Sequence, residues 1–112
     1  MFKKLINFLI KKDQFKKVII VESGKSVQIP SKTLVLTKKG NVFTWLRYKC
    51  PCGCGETISL SLSPMIEPYW AITIGKDKNK RPSVTITPSV YMRNTKCGSH
   101  YFITENKVNW CK

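Results

Sequence analysis

Three cysteines fall within five residues at Cys50-Pro51-Cys52-Gly53-Cys54, with Gly55 following, and no other stretch restricts the chain so strongly. Thiols gathered this closely rarely serve as core hydrophobes. Cys97 and Cys111 bring the total to five, an odd number that suits a disulfide framework poorly. The pattern points to metal. Cys97-Gly98-Ser99-His100 adds a pair at C-x-x-H spacing, and two short-range pairs from distant segments supply what a tetrahedral structural site needs. Zinc is the expected ion. Six residues compete for about four places. Cys52, Cys54, Cys97 and His100 are favoured, Cys50 stands close behind, and Cys111 comes last because it closes a predicted strand. Gly53 and Gly55 let the backbone curl until its N–H groups point at sulfur, which lowers the cost of gathering negative charge.

The same residues bear on catalysis. A closed four-ligand shell has no position for water, whereas three ligands and a nearby carboxylate would be hydrolytic, with Glu56 as the base. Glu105 is the other carboxylate with a claim. Neither H-E-x-x-H nor H-x-E paired with P-C-x-x-C occurs, so the common zinc-protease and deaminase signatures are absent. Ser63, Ser89 and Ser99 are possible nucleophiles beside His100. No G-x-S-x-G elbow accompanies them, and the sole histidine is expected on the metal rather than in a serine-hydrolase triad.

Lys and Arg number 20 against 6 Asp and Glu, a formal net charge of +14 that draws acidic partners. The length of 112 residues suits a single zinc-stabilised domain, 1–112, and argues against a deep enzyme pocket. Phe2, Leu5, Ile6, Leu9 and Ile10 recur at helical spacing among lysines, so an amphipathic helix is predicted over 2–12, within a basic segment 1–15. Its apolar run is too short for a signal peptide and no stretch could span a bilayer, which makes the cytoplasm the expected location.

From Val18 onward short β-branched runs alternate with turn residues, the pattern of an antiparallel β protein. Strands are predicted at 17–22, 26–29, 33–37, 41–49, 57–62, 69–74, 83–87, 100–104 and 107–111. Lys39-Gly40-Asn41 and Lys76-Asp77-Lys78-Asn79 read as hairpin loops, and Glu105-Asn106 as a two-residue turn. The expected fold is therefore mainly β: a small antiparallel domain with a zinc knuckle, one short N-terminal amphipathic helix, and a motif-bearing core over 41–112.

Six motifs recur in order across 50–110: Cys50-Pro51-Cys52-Gly53-Cys54-Gly55, Leu62-Ser63-Pro64, Trp70, Pro88-Ser89-Val90, Cys97-Gly98-Ser99-His100-Tyr101-Phe102-Ile103 and Val108-Asn109-Trp110. This order resembles the DUF6527 family of small bacterial proteins of unknown function. Pro51 stands where many members carry another cysteine, and the 65–69 and 91–96 stretches depart from the pattern. Some members are encoded beside E1-like and E2-like proteins. The resemblance thus implies service in a bacterial ubiquitin-like conjugation or antiphage-defence system. The expected function is a zinc-binding module that presents a basic face to a protein partner of that pathway. The alternative is a zinc-dependent hydrolase that releases a ubiquitin-like tail. Nucleic-acid binding is a third reading, argued from charge and scattered aromatics alone.

Overall fold

The computed structural model describes residues 14–92 and 97–111. Eight strands follow in chain order: β1 (Lys17–Glu22), β2 (Thr33–Lys39), β3 (Val42–Lys49), β4 (Thr57–Ser61), β5 (Ala71–Lys76), β6 (Pro82–Tyr91), β7 (His100–Thr104) and β8 (Lys107–Trp110). They form two four-stranded sheets, ordered β1-β2-β3-β4 and β5-β6-β7-β8.

Period-two alternation builds the space between the sheets. Leu34 and Leu36 of β2, Leu46 and Tyr48 of β3, and Ile58 and Leu60 of β4 point inward. They meet Val84, Ile86 and Val90 of β6, Tyr101 and Ile103 of β7, and Val108 of β8 in one buried cluster that also takes in Phe15. Each such side chain contributes about 1.5–3 kcal/mol by leaving water. At the centre the hydroxyls of Tyr48 and Tyr101 lie 2.7 Å apart, a hydrogen bond that ties one sheet to the other. Burial holds both phenols well above their ordinary pKa, so each enters the core as a neutral group.

The expected fold needs correction in two respects. The described residues are all β and contain no helix; the helix predicted over 2–12 lies outside them. The sheets are also not wholly antiparallel, because β1 and β2 run parallel, with Lys17 opposite Thr33 and Glu22 opposite Lys38. The cause lies in residues 23–32. The predicted strand at 26–29 is open loop, and the chain uses it to travel back beside β1 and start β2 in the same direction.

Turns elsewhere follow the sequence reading. Glu105 (φ 47°) and Asn106 (φ 65°) form the left-handed pair that a tight two-residue hairpin requires. Asn106 also stitches this turn to β6: its Oδ1 accepts from Val84 N–H at 2.7 Å and its Nδ2 donates to Pro82 O at 3.0 Å. Among the described residues no helix is long and apolar enough to cross a membrane.

Candidate functional site

β3 continues its inward alternation from Leu46 and Tyr48 to Cys50, which is buried at the strand end. The chain then turns sharply. Gly53 (φ 90°) and Gly55 (φ 87°) adopt backbone conformations that side chains resist, Gly53 N–H donates to Cys50 O, and Cys50 N–H donates to Glu56 O at 2.8 Å. This knuckle brings Cys52 and Cys54 back over Cys50, and Cys97 arrives from the segment before β7. The four sulfurs all lie within 4.8 Å of one another.

The spacing fits a metal better than a disulfide. Cys50 Sγ is 3.4 Å from Cys52 Sγ and 3.7 Å from Cys97 Sγ. A disulfide closes to about 2.0 Å, while two thiolates on a tetrahedral ion with bonds of about 2.3 Å sit roughly 3.8 Å apart. The charge balance agrees. Burial raises the Cys50 thiol to about 12 even though the Cys52 N–H, bonded to its sulfur, pulls the other way; the thiols of Cys52 and Cys97 add to the rise and Ser99 opposes it. Without a metal Cys50 is thus a neutral thiol, and were all four to ionise so close together they would need a cation among them.

His100 stands apart from this cluster. Its Nε2 lies 2.9 Å from Ser89 Oγ, and the ring of Tyr91 stacks on the imidazole with centroids 4.6 Å apart and planes at 25°. Register explains the meeting. Tyr91 pairs directly with His100 and Val90 with Tyr101, but the next pair along is Ile86 with Ile103, so Thr87, Pro88 and Ser89 oppose Phe102 alone. Bulges of this kind bend a strand and re-aim a side chain. Here Ser89 lands beside His100 on the outer face of the sheet. Trp70 holds the strand from behind, its indole N–H donating to Ser89 O at 3.2 Å. Both members of the pair are half-buried and reachable from solvent.

The remaining candidates have other partners. Ser63 Oγ accepts from Met65 N–H in a turn. Ser99 is buried against the thiols, donating to Cys97 Sγ at 3.3 Å and accepting from Cys50 Sγ at 3.8 Å. Glu56 is exposed beside the knuckle. Cys111 donates its N–H to His100 O at 2.8 Å and is not one of the four clustered thiols. C-x-x-H spacing favours His100 as a ligand with Cys50 close behind; the structure instead puts Cys50 within the thiol cluster and His100 on Ser89. The residue pattern names Ser89 as one of three serines beside His100, and Pro88 inside a strand run marks an irregularity, but neither says which serine the bulge delivers to the imidazole.

Known proteins bear on this arrangement through a family model described as bacterial ubiquitination-like system serine protease (BubE), which matches residues 20–111. Neither the curated proteins nor the solved structures contain a match. The family link agrees with the bacterial ubiquitin-like system that the motif order implied, though under a different family description. The matched stretch contains the four clustered thiols, Ser89 and His100, and the chain belongs to the BubE family of bacterial ubiquitination-like system serine proteases.

Proposed function

We propose that the protein is a serine hydrolase acting on acyl bonds of a ubiquitin-like protein, with Ser89 as nucleophile and His100 as general base. The 2.9 Å contact between Ser89 Oγ and His100 Nε2 carries this reading. That distance lies within the hydrogen-bond reach a nucleophile and its base require. With the imidazole proton on Nδ1, Nε2 accepts from the Ser89 hydroxyl. Oγ attacks the substrate carbonyl carbon as its proton passes to Nε2. The C–N or C–O bond then breaks, and His100 returns the proton to the leaving amine or hydroxyl. Water then attacks the acyl ester as it gives a proton to the same nitrogen, and His100 passes that proton to Ser89 Oγ as the C–O bond breaks and the carboxylic acid leaves. Tyr91 takes the place of an orienting third residue, since its stacked ring limits how the imidazole can turn.

Cys50, Cys52, Cys54 and Cys97 are proposed to hold one zinc ion in a structural role. Four thiolates fill a tetrahedral shell and leave no position for a reacting water, which weighs against a zinc hydrolase with Glu56 as base. The ion would supply cross-linking: Cys50 extends β3 of one sheet and Cys97 leads into β7 of the other, three residues before His100.

Hydrolysis of a ubiquitin-like protein fused at its C-terminus to a reporter tests the assignment. Ser89→Ala and His100→Gln should each lower kcat by about a thousandfold or more, while Ser63→Ala and Glu56→Gln stay within about twofold of the parent. Equal activity in Ser89→Ala, or loss in Glu56→Gln with zinc retained, would contradict it.

A further inference from the structure

At the opposite end of β6 from Ser89 the loop after β5, the β7–β8 turn and the start of β1 enclose an open cleft of about 870 Å³. Six cations line it: Lys16, Lys17, Lys76, Lys78, Arg81 and Lys107. The two carboxylates there, Asp77 and Glu105, offset only two of the six charges, and neither is ion-paired with a cation of the cleft among the described residues. Asp77 Oδ1 accepts the backbone N–H groups of Asn79 and Arg81 and is committed to its own loop. Glu105 sits on the turn without an ion pair among the described residues, where the one ion pair is Lys38 with Glu22.

We propose that this cleft is a docking surface for a protein partner presenting a cluster of carboxylates. Like charges gathered in a concavity repel one another, and low-dielectric walls focus the field toward an incoming anion. The chain's own terminus is a poor occupant. By sequence, residues 1–13 carry Lys3, Lys4, Lys11 and Lys12 against Asp13 alone, so they offer no cluster of carboxylates. Single-stranded nucleic acid is a weaker fit, because base stacking needs exposed aromatic rings and the one aromatic residue of the cleft, Phe15, is buried in the core. Six residues of β6 lie between Pro82 and Ser89, at most roughly 23 Å of strand. A partner seated in the cleft therefore leaves the Ser89–His100 pair free, and the proposal stands whether or not that pair is catalytic.

The test uses the full chain and a fluorescein-labelled peptide of alternating Glu and Gly, read by anisotropy at low and near-physiological salt. The triple variant Lys76→Gln/Arg81→Gln/Lys107→Gln should weaken binding about tenfold through the loss of three exposed ion pairs, and flatten the salt dependence. Lys25→Gln/Lys39→Gln/Lys49→Gln removes the same charge outside the cleft and should change affinity less than about twofold. All six side chains except Lys49 are exposed, so both variants should fold, and thermal melts check this. Amide shifts on titration should move at 14–19, 76–82 and 105–107. Equal losses in the two triples, shifts elsewhere, or no binding by the parent would overturn the proposal. Tighter binding of an oligothymidine of equal length, lost in the cleft variant, would replace the protein partner with nucleic acid.

Discussion

Ser89 and His100 depend on neighbours that fix one rotamer each. The Tyr91 ring covers one face of the imidazole, and Tyr91 and His100 are direct cross-strand partners, so the stack follows from register. Tyr91→Phe keeps the ring and should keep hydrolysis. Tyr91→Ala frees the imidazole and should lower kcat about tenfold with KM nearly unchanged, as expected for lost orientation rather than lost binding. A fall in KM-dependent binding with unchanged kcat would instead mark Tyr91 as a substrate contact. The buried Tyr48–Tyr101 pair makes a second prediction. Tyr101→Phe strands the Tyr48 hydroxyl in the core and should cost about 1–3 kcal/mol, while Tyr48→Phe with Tyr101→Phe removes both polar groups and should recover part of that loss. Urea denaturation of the two singles and the double decides it; a double variant that loses the sum of the singles would show that the hydroxyls do not act as a pair.

At the scale of elements, the β7–β8 hairpin carries His100 at one end and is sewn to β6 at the other by Asn106. Asn106→Ala removes two side-chain hydrogen bonds at a residue with φ of 65° and should cost about 2–3 kcal/mol. Asn106→Gly tolerates the backbone and should lose less. Equal stability losses in the two variants would show that backbone geometry contributes nothing to the Ala effect.

Elements of this kind differ in how far they can be read from residues. The strands from β2 to β8 announce themselves because β-branched runs alternate inward and outward between turn residues, and the Glu105-Asn106 turn because few residue pairs accept two left-handed conformations. The knuckle was legible for the same reason, three thiols separated by single residues. The loop at 23–32 was not. Val27 and Ile29 alternate like a strand, and nothing local states that the chain must return to pair in parallel. At the bulge over 87–89 Pro88 signals an interruption of the strand but not its geometry, so the residues alone do not favour Ser89 over Ser63 and Ser99, and C-x-x-H spacing draws His100 to Cys97.

Across the whole molecule the thiol cluster and the buried tyrosine pair both link one sheet to the other, Cys50 following β3 and Cys97 preceding β7. A structural zinc contributes about 10–16 kcal/mol of apparent binding energy in small domains, comparable to the entire stability of such a fold at about 5–15 kcal/mol. We therefore expect about one bound zinc by elemental analysis. Its removal by a chelator should lower the thermal midpoint by more than about 10 °C, and hydrolysis should be lost with it because Cys97 leads into the strand that bears His100. Metal-free protein with an unchanged melt would refute a structural role for the ion.

A Ser89 hydroxyl activated by His100 should react with electrophiles that trap nucleophilic serines. The most direct measurement is covalent labelling by a fluorophosphonate probe, followed by peptide mapping, with the chelator-treated and zinc-replete proteins side by side. One adduct per chain is expected on Ser89 in the zinc-replete protein, absent from His100→Gln at equal folded fraction. An adduct on Ser63 or Ser99, or no adduct in folded protein that hydrolyses a ubiquitin-like fusion, would contradict it.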